Sequence, residues 1–242
     1  MLRGRVQRRG VNMNDTAEDQ VRAAMGQAEQ AELNARKVAL EGKLRTLSEG
    51  ASPLERAGLQ LEMARVLAGL DRGGEGWLMG REAVEVFLAR EDWERAADGF
   101  DVLYLCDQNE RSLAALGQGV WLAVTLPIDP SLTVAMLDHI VDDTPDDSDG
   151  AAVAAATAVY VADMRDAGGP DGNLGFFARQ MLGKVARRHS EVASQLQFDA
   201  WIMRMELDDP AKFLVQLRNV VDVLVQEDWW FDRDAVHASP AG

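Results

Sequence analysis

Between Gly76 and Asp107 the sequence reads GWLMGREAVEVFLAREDWERAADGFDVLYLCD, and its spacing of large and small apolar residues leaves few folds open. Trp77, Gly80, Ala83, Val84 and Phe87 recur at helical period, and Trp93, Ala96, Phe100 and Leu103 do so again after a break at Ala89–Asp92. Two apolar stripes separated by a few polar residues must be buried against each other, which makes this segment a hairpin of two antiparallel helices. Strands would alternate with period two, and neither that alternation nor an Asn-Gly turn signal occurs along the chain.

The same period continues on both sides of the hairpin. Gln20–Leu47 is rich in helix formers but sparse in apolar residues, so it reads as an exposed or loosely docked leading helix. Ser52-Pro53-Leu54-Glu55 then supplies a capping serine, a proline in the first turn and a glutamate at capping-box spacing. The helix it starts is expected to bury a stripe of Leu54, Leu59, Leu61, Ala64, Leu67 and Leu70, and Asp71-Arg72-Gly73-Gly74 stops it. Leu113, Leu116, Val120, Leu122 and Val124 carry the pattern up to Pro127, and Asp129-Pro130 and Asp209-Pro210 each mark a further helix start. Leu132, Val134, Leu137, Ile140 and Val141 follow the first of these starts, and Phe213, Leu214, Leu217, Val220, Val221 and Leu224 the second. Gly150–Asp166 is alanine-rich, a composition that lets neighbouring helices approach closely. Leu174–His189 is expected to bury Phe176, Phe177, Met181, Leu182 and Val185, and Ser190–Leu207 to bury Val192, Leu196, Trp201, Ile202 and Met205. The fold class is therefore all-α, a solenoid-like or irregular bundle of about ten helices in antiparallel hairpins. Its parts are an arm at 1–19, a leading helix within 20–51, a helical domain at 52–231 and a disordered tail at 232–242. Met13 begins a more ordinary opening, MNDTAEDQ, so Met1–Asn12 reads as an over-extended start in preference to a flexible basic arm.

On its large and small positions, the Gly76–Asp107 unit resembles a tetratricopeptide repeat over about one repeat length. Leu54–Leu70 and Leu113–Val141 stand where degraded neighbouring units would fall, and Val84 and Phe87 replace the Gly-Tyr pair common in that family's first helix. The resemblance implies a curved stack of hairpins whose concave face binds a peptide or a partner helix, and it implies no catalysis.

Composition narrows the function classes. Against 40 acidic residues the chain has 25 basic ones, a formal charge of −15, and Arg3, Arg5, Arg8 and Arg9 are among the few cations. Such a surface repels phosphate backbones and anionic lipids, so nucleic acid and membrane are not expected partners, while a basic protein or peptide is. No segment approaches the apolar length of a membrane span, and the N-terminus lacks the apolar run of a signal peptide. The single Cys106 rules out an internal disulfide and cysteine-rich metal sites, makes the reducing cytoplasm the simplest home, and sits where a buried structural thiol is expected.

No reaction is legible. His139, His189 and His237 are too few and too scattered for a metal site, and no Glu-x-x-His pair is available for a di-iron centre. The acidic run Asp142–Asp149 imitates a calcium loop at Asp147, Asp149 and Gly150, but Pro145 and Ala156 occupy the first and closing ligand positions, so it reads as a solvated linker. The glycines of Ala167–Gly175 lack the lysine and hydroxyl of a phosphate loop, and neither a catalytic elbow nor a cofactor signature is present. What remains is Trp229-Trp230-Phe231 in an acidic frame, read either as a lid over the final hairpin or as the contact with a partner. The expected role is a non-catalytic adaptor or assembly chaperone. The alternatives are a sensor or enzyme with Tyr160, Met164, Phe176, Phe177 and Trp201 round a small-molecule cavity, and a structural homo-oligomer joined through Gly150–Asp166.

Overall fold

The computed structural model describes residues 13–48, 50–168 and 172–238, with side chains from residue 24 onward. The arm expected at Met1–Asn12 lies outside them. The described residues form eleven helices and no strand: α1 (Met13–Thr46), α2 (Pro53–Gly69), α3 (Gly73–Ala89), α4 (Trp93–Leu105), α5 (Glu110–Thr125), α6 (Pro130–Asp143), α7 (Asp149–Arg165), α8 (Asn173–Ser190), α9 (Gln195–Arg204), α10 (Pro210–Val225) and α11 (Arg233–Ala238).

Caps and prolines set the helix starts. The Ser52 hydroxyl accepts from the Glu55 amide with Pro53 in the first turn of α2, and the Asp129 carboxylate accepts from the Ser131 and Leu132 amides at the start of α6. Asp209 accepts from the Ala211 amide below Pro210, and Asp92 from the Arg95 amide at the start of α4. Each cap satisfies amides that the helix itself leaves open.

Successive helices pack on one another in two layers. In one, α2 touches α4 and α6 touches α8, while His139 of α6 meets Asp101 of α4. The other layer holds α3, α5 and α7, and α10 returns along the chain to lie against both α5 and α7. In the expected hairpin, Trp77, Gly80, Ala83, Val84 and Phe87 of α3 and Ala96, Phe100 and Leu103 of α4 are buried, with Trp93 half-buried. Because α6, α8 and α10 all pack on α7, every residue from Ala151 to Ala158 is buried. The proposed oligomer contact through Gly150–Asp166 is thereby corrected: its alanines are spent inside the monomer.

Three other expectations shift. Helix α1 extends back to Met13; residues 24–32 are exposed, whereas Leu33, Leu40 and Leu44 pack on Met63, Val66 and Leu67 of α2. On α8 the buried face uses Ala178, Met181, Leu182, Val185 and Ala186, leaving Phe176 65% exposed. Residues 233–238, read as tail, form α11 with Val236 buried.

Two arginines close helix ends at long range. Arg165, the last residue of α7, donates to the carbonyls of Ala123, Val124 and Leu126 at the end of α5, and Arg188 of α8 donates to the Val141 carbonyl near the end of α6. Burial lowers the pKa of Arg165 below its ordinary value, a desolvation cost that three carbonyl contacts offset. Arg165→Met should lower stability by roughly 2 kcal/mol in urea unfolding, since it strips partners from three part-buried carbonyls.

Gly117 is where α10 reaches α5: a Cβ there would stand 2.6 Å from Val225 Cγ2 and 3.0 Å from Leu224 Cβ. Gly117→Ala should therefore cost about 1–3 kcal/mol of overpacking, less up to ~1 kcal/mol gained in helix propensity. Gly26 of α1 has nothing within 4 Å, so Gly26→Ala should be neutral or raise the melting temperature.

Candidate interaction groove

The three residues Gly117, Gln118 and Gly119 place a polar side chain between two close helix contacts. Gly119 admits Phe100 of α4 and Met136 of α6, since a Cβ would lie 2.8 Å from Phe100 Cβ and 2.7 Å from Met136 Cε. Gln118 between the glycines is 0% exposed. Its Nε2 donates to the Ala114 carbonyl one turn back, which aims Oε1 outward, and Oε1 accepts the backbone N–H of Trp230 at 2.7 Å. A fully buried amide so spent recognises main chain, not another helix side chain.

Aromatic side chains surround that hydrogen bond. The Trp230 ring lies 5.4 Å from the Phe100 ring and meets Trp77 edge-on at 6.1 Å, while the Arg81 guanidinium sits 3.9 Å from its centroid on the remaining side. Arg81 Nη1 is also 2.9 Å from Glu85 Oε1, close enough for an ion pair though not aligned as a hydrogen bond. Phe231 fills the space between Phe100 and Trp121, and Trp229 meets Trp121 edge-on with Arg233 over its own face. Edge-on or tilted rings and a half-buried guanidinium each add about 0.5–1.5 kcal/mol to such a contact.

Trp229, Trp230 and Phe231 thus lie on α3, α4 and α5 of their own chain, half-buried, and not over the final hairpin as the lid reading had it. The segment leaves α10 through Gln226, whose φ of 54° and ψ of −119° are backbone values a non-glycine residue adopts at a cost of about 1–3 kcal/mol. Sequence reasoning missed Gln118, Arg81 and Trp121. The available signal was Gln118 itself, a polar residue inside an otherwise apolar stripe.

The opposite layer is held by polar contacts. Arg65 of α2 bonds Asp98 of α4, His139 Nε2 lies 3.1 Å from Asp101 Oδ1, and the Tyr104 hydroxyl donates to Asp143 at 2.6 Å. Burial, followed by the Asp143 hydrogen bond, pushes the Tyr104 phenol well above its ordinary range. Asp138 nearby is raised by burial and then by Asp142. These pairs tie α2 to α4 and α4 to α6, and the structure gives them that positional role.

The acidic run is solvated, as expected, and its exposed carboxylates face α8: Asp142 pairs with Lys184, Asp146 lies near Arg188, and Asp149 meets His189. Trp201 donates its indole N–H to His189 Nδ1, so the hydrogen-bond network assigns the proton to Nε2, facing Asp149. Among the described residues no three His, Cys, Asp or Glu side chains converge as a metal-binding set, and no helix is long and apolar enough to cross a membrane.

The small-molecule set does not assemble. Trp201 is buried beside Phe198 and His189, Tyr160 packs edge-on to Phe213, and Met164, Phe176 and Phe177 are exposed. The hollows on the surface are open grooves; one of about 480 Å³ between α1, α2 and α3 is lined by Leu44, Met63, Leu67, Leu78 and Met79.

Comparison with known proteins adds no relative: no family model matches the chain, and neither the curated proteins nor the solved structures yield a match.

Cys106 is 1% exposed at the end of α4, and burial pushes its thiol up to about 11. Little thiolate exists below that value, so a thiol reagent at pH 8 should label the native protein far more slowly than the urea-unfolded chain. Equal rates would show that the thiol is open.

Proposed function

We propose that the chain is a non-catalytic protein–protein interaction module, an adaptor or assembly chaperone that holds a partner protein. The observation that supports this reading best is the Gln118–Trp230 contact. A rigid helical layer offers a buried amide to main chain and clefts between aromatic rings to side chains. That combination suits an extended polypeptide, because the amide reads any backbone N–H and the clefts choose the residues that follow.

Two further features agree with it. The resemblance of Gly76–Asp107 to a tetratricopeptide repeat implies a peptide-binding or helix-binding face and no catalysis. The charge of −15 steers basic surfaces toward the chain and repels nucleic acid and anionic membranes. We place the protein in the cytoplasm on the strength of its single, buried cysteine.

Affinity capture of the tagged protein from its native extract, in low and in high salt, tests the reading. A stoichiometric heterologous protein is expected, with capture weakened by salt where the acidic surface takes part. A chain that brings down no protein but gains several degrees in melting temperature with a small metabolite would overturn it in favour of a ligand sensor.

A further inference from the structure

We propose that the cleft formed by Gln118, Trp77, Arg81, Phe100 and Trp121 is an exchangeable peptide site, and that Trp229–Phe231 are its occupant in cis. The partner it takes is an extended polypeptide segment presenting consecutive aromatic side chains. This rests on the interaction role argued above and names the ligand class of the same site.

Three observations carry it. First, the occupant differs from the core around it: Phe213, Leu217, Val221 and Val225 of α10 are buried, whereas Trp229, Trp230 and Phe231 are only half so. The helix is part of the fold, whereas Trp229–Phe231 lie on its surface between α10 and the buried Val236 of α11. Second, the cleft's polar group is set by α5 itself. Gln118 is oriented by the Ala114 carbonyl of its own helix, so its Oε1 still needs a donor when Trp230 leaves. An incoming backbone N–H restores that bond, and an apolar helix face does not. Third, Gln226 ends α10 with a positive φ, as six other residues do at helix joints among the described residues, so the helix is already terminated before Trp229 and the segment can lift without unwinding it. Local opening at such a joint leaves α10 in place.

The ligand chemistry follows from what is seated. Trp230 needs an aromatic face for Phe100, an edge for Trp77 and a π surface for Arg81, and Phe231 needs a flat side chain beside Trp121. Aliphatic residues fill the volume but lose the contact with the guanidinium.

The test uses the full-length protein and a dye-labelled synthetic peptide with the sequence of residues 226–237, followed by fluorescence anisotropy. Trp230→Ala removes the ring between Phe100, Trp77 and Arg81 and so weakens the tethered segment's hold on the cleft, and this variant should bind the peptide at least about tenfold more tightly than the wild type, in which the intact segment competes. Adding Gln118→Ala should weaken that binding about tenfold. A Trp230→Ala protein that melts like the wild type yet ignores the peptide up to millimolar concentration overturns the proposal. So does a variant that forms a concentration-dependent dimer and excludes the peptide, because the site would then serve exchange between copies.

Should Trp230→Ala fail to fold, amide exchange in the wild type decides. The Trp230 amide is expected to exchange at least about a hundredfold faster than those of Leu217 and Val221, and equal rates mean that the segment opens only with the whole protein. The two proposals fail separately. A stoichiometric partner whose capture the peptide does not disturb removes the cleft but keeps the module. Peptide exchange in a chain that captures no protein removes the module but keeps the cleft.

Discussion

Helix α5 is packed from opposite sides at once, and the architecture depends on that. Gly117 lets α10 come within contact of its backbone, Gly119 lets Phe100 and Met136 do so, and a side chain at either position would hold a neighbour away. Interior packing tolerates no such gap, since it would forfeit contact along a whole helix. With α5 enclosed, its end also needs partners, and Arg165 supplies them from α7. The hairpins thereby become one body: α4 and α6 meet at Gly119, α10 at Gly117, and α7 at the closing carbonyls.

The two layers solve the burial problem differently. Across α2, α4, α6 and α8, ion pairs and hydrogen bonds such as Arg65–Asp98, His139–Asp101 and Lys184–Asp142 join helices whose outward faces stay wet. Exposed pairs such as Lys184–Asp142 contribute little each and fix alignment more than stability, whereas Asp101 is buried and depends on its partner. Across α3, α5 and α7 the outward faces are apolar. Along α5 and α7 that face is covered by α10, and at α3, α4 and α5 by the segment after it. The cover is uneven, deep along α10 and shallow at Trp229–Phe231, and in that difference the binding proposal originates.

Local signals were legible because they act over a few residues. The capping bonds of Ser52, Asp129 and Asp209 lie where the sequence put helix starts. The stripes of α3 and α4 are buried nearly as read. Reading failed where apolar residues were taken as core by period alone. Phe176 and Leu196 obey helical spacing but face solvent, because α8 and α9 lie at the edge with one covered side. The cleft was half legible: Trp229, Trp230 and Phe231 stood out as consecutive aromatics, while Gln118 did not, since a lone polar residue gains its meaning from a partner 112 positions away.

The sequence by itself determined that this protein is helical, where most of its helices begin and which residues of the first hairpin go inside. Period, proline and capping chemistry are properties of neighbouring residues, and they act before any tertiary contact exists. Only the tertiary structure decided that α10 returns to α5 and α7, that the alanines of α7 are enclosed, and that the terminal aromatics rest on α3, α4 and α5. Many apolar stripes in one chain can cover one another at similar gain in buried area. The choice among them falls to steric fit at Gly117 and Gly119 and to the single bond at Gln118, which exist only once the chain has folded.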